Sequence, residues 1–242
     1  MTEQIAFLLE NIPRLLIGFP GQRPGGLVLS ILLAAAAIGL GFVIALFLGA
    51  ASNSPFRVVR GFGRVYVQVF RGLPLILLLL LVHQLLSSGR RYGLVNAPRL
   101  SALVALTLYS SAYQAEIVRA GLRAVPPQMA EAARLLGGRP WEVYLWIKMR
   151  YAWRVMLPAF TGQAISLFKD TSAVIIIGVT DLMTVARISL GSSIGDATHW
   201  VGMYLLVGFF YFCIAFGLSL LAQRWERQSQ TTELVHSFSN YG

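Results

Sequence analysis

An uncharged run from Leu27 to Ala50 (LVLSILLAAAAIGLGFVIALFLGA) constrains this chain more than any other feature. At about 1.5 Å per residue it makes a helix about 36 Å long, enough to cross a hydrocarbon core of about 30 Å. A secretory signal would place about 7–15 apolar residues behind a basic start. This run is longer, and Glu3 and Glu10 offset Arg14 and Arg23 ahead of it. Four further stretches read as spans. Gly72–Leu86 holds a block of leucines from Leu77 to Leu81, and Val65–Phe70 can extend it backwards. Leu100–Val118 carries Glu116 near its end, and Val155–Val179 is interrupted by Lys169 and Asp170. Trp200–Ala222 is uncharged and bracketed by Trp200 and Trp225, the positions of an interfacial aromatic belt. The expectation is an all-α integral membrane protein with about five transmembrane helices. Residues 1–26 then form an N-terminal extracytoplasmic or interfacial segment, 27–225 the transmembrane domain and 226–242 a cytoplasmic tail.

Charge placement orients these spans. Only 12% of residues are charged, yet Lys and Arg number 20 against 10 Asp and Glu, a net +10. A basic excess can mark nucleic-acid binding, so its location decides. Arg57, Arg60, Arg64 and Arg71 lie between the first two spans. Arg119, Arg123, Arg134, Arg139, Lys148, Arg150 and Arg154 lie between the third and fourth, and Arg224 and Arg227 follow the fifth. All thirteen fall on one side. Arg14, Arg23, Arg90, Arg91, Arg99 and Arg187 fall on the other. The positive-inside rule puts the N-terminus outside and the C-terminus in the cytoplasm. The excess therefore faces lipid headgroups and a cytoplasmic partner, not nucleic acid. A lone Cys213 excludes an internal disulfide, a CxxC pair and a cysteine-rich zinc site. With no GxxxxGK[ST] sequence, the chain has no Walker loop of its own. No metal or cofactor is implied. His83 reads as a satisfied buried histidine, His199 and His236 lack metal spacing, and Asp181 and Asp196 read as caps or solvated groups of an outer loop.

The basic stretch between the third and fourth spans has local structure. Gln128–Leu136 is rich in helix formers, with Pro127 suited to the first turn and Gly137–Gly138 to the stop. A second helix can start at Pro140 and run through Arg150. Trp141, Leu145 and Lys148 then share one face, and Val143, Ile147 and the stem of Arg150 a neighbouring one. A short helix of small residues ended by a double glycine is a knob that can dock into a groove. In the first span, Ala37, Gly41, Ala45 and Gly49 recur every four residues. They either permit close approach to another helix or reflect how common Ala and Gly are in membrane helices.

Intramembrane charges cost at least about 2.5–3.5 kcal/mol each and usually face protein or a water-filled path. Lys169 and Asp170 point about 100° apart on a helix. They line or gate a path, pair with Glu116 or Arg119, or mark a bend. Glu116 and Arg119 are i, i+3 partners that serve either as a gate or as a local helix-end pair.

Four ordered motifs resemble those of membrane permease subunits of bacterial ABC importers, in the polar amino-acid branch. Glu131-Ala132-Ala133 followed by Gly137 looks like that family's EAA loop. Ala112–Gly121 with Val125-Pro126, Ser166–Ser172 with Ile177-Gly178-Val179, and Phe70–Leu75 resemble its flanking signatures. The resemblance covers residues 27 to 225. It implies that Glu131, Ala132, Ala133 and Gly137 form a coupling helix docked on a cytoplasmic ATPase. It also implies that Lys169, Asp170, Thr171, Glu116 and Arg119 line or gate a translocation path. Implied partners are a second permease subunit, identical or related, two ABC ATPases, an extracytoplasmic amino-acid-binding protein and membrane lipids. The implied location is the bacterial inner membrane, and the subunit itself would catalyse no reaction. The family's loop usually continues to a Leu-Pro pair, where this chain has Met149-Arg150, while Leu157-Pro158 matches the second proline. Losing the first proline lets the helix from Trp141 run on toward Tyr151. Two alternatives compete: a proton-coupled secondary transporter using Asp170, and an intramembrane enzyme using Lys169, Asp170 and Glu116 on a lipid-linked substrate.

Overall fold

The computed structural model describes residues 2–21, 24–52, 54–88, 98–191 and 198–239, with side chains of the last helix described as far as Arg224. The readings placed on Arg23, Arg90, Arg91 and Asp196, and on the side chains of Trp225, Arg227 and His236, lie outside the described residues. Ten α-helices follow in order among the described residues: α1 (Thr2–Ile17), α2 (Gly26–Ser52), α3 (Arg57–Gly72), α4 (Leu75–Ser88), α5 (Pro98–Arg123), α6 (Pro127–Leu135), α7 (Pro140–Glu142), α8 (Arg150–Asp170), α9 (Leu182–Gly191) and α10 (Thr198–Ser239). A π-helical stretch, Val143–Met149, joins α7 to α8, and a 3₁₀ stretch, Thr171–Ile177, follows α8.

The bundle is built on α2 packed against α5. Ala37 and Ala45 are fully buried, and Gly41 and Gly49 are buried with them. A Cβ on Gly41 would sit 3.2 Å from the Ser111 nitrogen, and one on Gly49 would sit 2.6 Å from Val118. The four-residue spacing therefore serves close helix approach, and its partner is α5. Gln114 of α5 bridges the seam, its Nε2 donating to the Ile38 carbonyl at 3.2 Å and to Ser110 Oγ at 2.6 Å. Leu78, Leu79 and Val82 of α4 join a cluster with Leu33, Ala105 and Leu106. α1, α9 and α10 close a second cluster around Leu15, Leu182 and Met203. α8 meets α5 where Met156 lies against Gly121.

Two helices, α2 and the His199–Arg224 part of α10, are each long and apolar enough to cross a membrane. The pair α3 and α4 qualifies if counted as one bent span. α5 and α8 are long but more polar. In α5 the polar residues Ser101, Thr107, Ser110, Ser111 and Gln114 are buried against neighbours, so the helix needs less hydropathy of its own.

Several expectations are corrected. Val65–Phe70 does not extend the second span as one straight helix: it belongs to α3, which meets α4 at 106°. Pro74 holds Leu73 extended (φ −85°, ψ 133°), so the helix stops there. The basic residues from Arg57 to Arg71 thus lie on a helix, not a loop. Val155–Val179 is not one continuous α-helix, because the α-helical bonding ends at Asp170 and Gly178 turns the chain at φ +75°. Asp181 caps α9 as expected but is not solvated. It is fully buried, accepting from Thr184 N at 3.0 Å, Thr184 Oγ1 at 2.6 Å and Met183 N at 3.2 Å. By contrast, the helix begun at Pro140 does run on past Arg150, which is itself helical (φ −61°, ψ −43°).

Gly49→Leu should destabilise the protein by about 1–3 kcal/mol or more, because Val118 and the Ala115 carbonyl block the new side chain. Gly39→Ala, on the same helix with nothing within 4 Å of the added carbon, should be neutral. Thermal unfolding of the two variants in detergent compares them directly.

Candidate functional site

A row of polar side chains follows one face of α5. Tyr109, Tyr113 and Glu116 recur at i, i+4 and i+7, so they stack along the helix. The Tyr109 hydroxyl donates to the Tyr113 hydroxyl at 3.4 Å, with the rings 4.8 Å apart. Arg71, arriving from α3, places its guanidinium 5.2 Å from the centre of the Tyr113 ring and 3.9 Å from Glu116 Oε1. Arg119 grips Glu116 with two donors, Nε to Oε2 at 2.8 Å and Nη2 to Oε1. At the other end of the row, Asp170 lies within electrostatic reach of Tyr109.

Glu116 and Arg119 do form their helix-end pair, and Asp170 approaches the same row through Tyr109. Lys169 is exposed and Asp170 half-buried. Neither pairs with Glu116 or Arg119 in the ion pairs found, since Glu116 is held by Arg119 and Arg71. They stand instead where α8 gives way to the 3₁₀ stretch. Thr171 is the exception among the path candidates. It is buried and donates its hydroxyl to the Phe168 carbonyl at 2.7 Å, closing off the end of α8. Tyr109, Tyr113 and Arg71 were missed from the sequence, although the tyrosines' spacing from Glu116 carried the signal. His83 is satisfied as expected, its Nδ1 lying 3.2 Å from Ser101 Oγ.

The coupling candidates lie on α6 and in the turn that follows it. Pro126 leads in, Pro127 occupies the first turn, and Gly137 ends the segment at φ +84°, where a side chain would be strained. Glu131 and Ala132 are exposed and Ala133 is half-buried. Ala130 faces inward. Two leucines at the end of the knob stand out: Leu135 is 89% and Leu136 90% exposed. Trp141, Leu145 and Trp146 continue this apolar surface on the following turns. The backbone N–H of Arg139 donates to the Glu142 carboxylate at 2.8 Å, which starts α7.

The comparisons converge. Residues 22–229 match the family described as binding-protein-dependent transport system inner membrane component. The chain is 33% identical over 211 residues to the glutamate/aspartate import permease protein GltK of Escherichia coli O6:H1, covering 84% of this chain and 92% of that protein. It is 32% identical to the probable glutamine ABC transporter permease protein GlnP of Bacillus subtilis, covering 83% and 90%. A crystal structure of an amino acid ABC transporter with histidines superposes with a TM-score of 0.75 at 27% identity, over 94% of this chain and 96% of that one. The methionine ABC transporter MetNI, in an inward-facing form, shares the fold at a TM-score of 0.65 and 20% identity, over 81% and 93%.

The two arginines should contribute unequally. In double-mutant cycles read by thermal unfolding, the two-donor Arg119–Glu116 pair should couple by about 1 kcal/mol, and the longer Arg71–Glu116 contact by only a few tenths. Equal or inverted couplings would contradict the geometry.

Proposed function

Because the chain belongs to the family of inner-membrane components of binding-protein-dependent transport systems, we propose how it works as the permease subunit of an ATP-driven importer of polar amino acids. It is a transport component of the membrane, not an enzyme, and the family works with ATPase subunits and a substrate-binding protein. This membership leaves the proton-coupled and intramembrane-enzyme alternatives without support. The finer assignments are the following. Residues 27–225 form the transmembrane domain, with five spans, the N-terminus outside and the C-terminus in the cytoplasm. Two such subunits, identical or related, pair over two ATPases.

The coupling element is α6, with Glu131, Ala132, Ala133 and Gly137. The observation that carries this is the exposure of Leu135 and Leu136 on a compact knob between α5 and α8. In water, two such leucines side by side favour a partner that covers them. The small residues let a groove approach the backbone, and Glu131 offers a charge to a basic residue there. ATP binding closes the ATPases and moves the knobs. The helix from Pro140 to Asp170 carries that motion to the bend where Lys169 and Asp170 stand. The path then swings from inward to outward facing, ready to accept an amino acid from the binding protein. Lys169 and Asp170, with Glu116 and Arg119 below, present both charge signs to a zwitterion. Thr171 contributes by fixing the bend.

Leu136→Asp and Glu131→Lys should each lower ATP-dependent uptake at least tenfold in proteoliposomes of the assembled transporter, with membrane yield and melting temperature unchanged. Lys169→Glu should lower uptake while ATPase subunits still co-purify. Normal uptake by the α6 variants would refute the coupling role, and normal uptake, substrate preference and ATPase stimulation by Lys169→Glu would refute the path role.

A further inference from the structure

Helix α3 has three distinct faces. At about 100° per residue, Arg57, Arg60, Arg64, Gln68 and Arg71 fall within about 80° of arc. Val58, Val65, Phe62 and Val69 occupy a second arc of about 60°, and all four are exposed, Val58 by 85% and Phe62 by 67%. The third face packs. Gly63 abuts Ser52 and Leu48 of α2, and the Tyr66 hydroxyl lies 2.8 Å from Ser111 Oγ of α5. The helix therefore packs across both members of the seam while meeting α4 at 106°. A basic face beside an exposed apolar stripe is the pattern of a helix lying in a membrane interface.

Beneath its basic face is a cavity of about 400 Å³. Arg64, Gln68 and Arg71 line it from α3, and Glu116, Arg119 and Arg123 from α5. Among the described residues the lining thus carries four guanidinium groups and one carboxylate, which accepts from Arg119 and sits 3.9 Å from Arg71. That excess of positive charge favours an anion. Guanidinium forks suit phosphate oxygens, and the neighbouring apolar stripe can hold acyl chains, which a soluble anion does not have.

We infer that this cavity binds the phosphate-bearing headgroup of an anionic phospholipid in the cytoplasmic leaflet, with the acyl chains along Val58, Phe62, Val65 and Val69. Arg64 holds the phosphate with Arg123 beside it in the lining, and Arg71 and Arg119 keep the rim positive while engaged with Glu116. The bound lipid ties α3 to the cytoplasmic end of α5. The leaflet rests on the orientation proposed above, whereas the charge and shape of the site do not.

The test uses the assembled transporter in nanodiscs of phosphatidylglycerol or phosphatidylcholine, with retained lipid read by native mass spectrometry. The wild type should retain phosphatidylglycerol in preference to phosphatidylcholine. The double variant Arg64→Gln/Arg123→Gln should lose that preference by about 10–30-fold, and Arg134→Gln, on α6, should keep it. Equal retention of the two lipids by the wild type would overturn the inference even if the variant failed to fold. Displacement of phosphatidylglycerol by millimolar inorganic phosphate or glutamate would also overturn it, showing a soluble-anion site. Orientation is read separately, by labelling Arg57→Cys in a Cys213→Ser background with an impermeant thiol reagent. Labelling only from the cytoplasmic side is expected. Labelling from outside would overturn the leaflet and the orientation together, while cytoplasmic labelling without lipid preference would overturn the site alone.

Discussion

The close approach of α2 to α5 is the contact on which the rest of the bundle depends. Lipid tails are as apolar as leucine, so apolar burial alone does little to bring membrane helices together. Tight backbone packing and interhelical hydrogen bonds must do it. Here Gly41 and Gly49 remove side chains at the contact, and Gln114 adds a hydrogen bond to the Ile38 carbonyl across it. Other elements are placed relative to this seam. α3 crosses it through Gly63 and Tyr66, and α8 packs on both helices, at Gly121 of α5 and at Phe42 of α2.

That arrangement gives α5 two duties. One face holds the scaffold, and another carries the row Tyr109, Tyr113, Glu116 with Arg71 and Arg119 against it. The charged groups are thereby shared between α3 and α5. The unbroken helical path from Pro140 through Arg150 to Asp170 supplies a stiff connection from the α6 knob toward the same row. A proline at position 150 would have removed a backbone donor from this connection. Two irregularities lie along it: Pro158 inside α8, which lacks a backbone donor, and the wider π-helical turns at Val143–Met149, which are rare and often lie at functional positions.

Much of this was legible in the sequence because it is local. The small-residue period in α2, the Pro127 start and Gly137 stop of α6, and the Glu116–Arg119 pair all follow from spacing along one helix. What escaped depends on contacts between segments distant in the chain. Arg71 meets Glu116 only because Pro74 breaks the chain and sends α3 across the seam. Counted along the chain, Arg57, Arg60, Arg64 and Arg71 are only charges on one side of a membrane, yet their common face was implicit in their spacing. Asp181 reads as a cap or a solvated group because it falls in an expected outer loop, while its burial comes from the packing of α9 against α1, α2 and α10. Leu100–Val118 reads as a span although α5 is less apolar than α2, and the structure shows why it can be: its serines and Gln114 are buried against other helices.

The central claim is that α6 is the surface that meets the ATPase. The sole cysteine, Cys213, makes a direct test simple. In a Cys213→Ser background, Leu136→Cys in the assembled transporter would be treated with a short bifunctional thiol reagent in inner-membrane vesicles. The account predicts a cross-link to the ATPase subunit whose yield changes when ATP is added. A cross-link to the substrate-binding protein, or none to the ATPase in an actively transporting preparation, would contradict it.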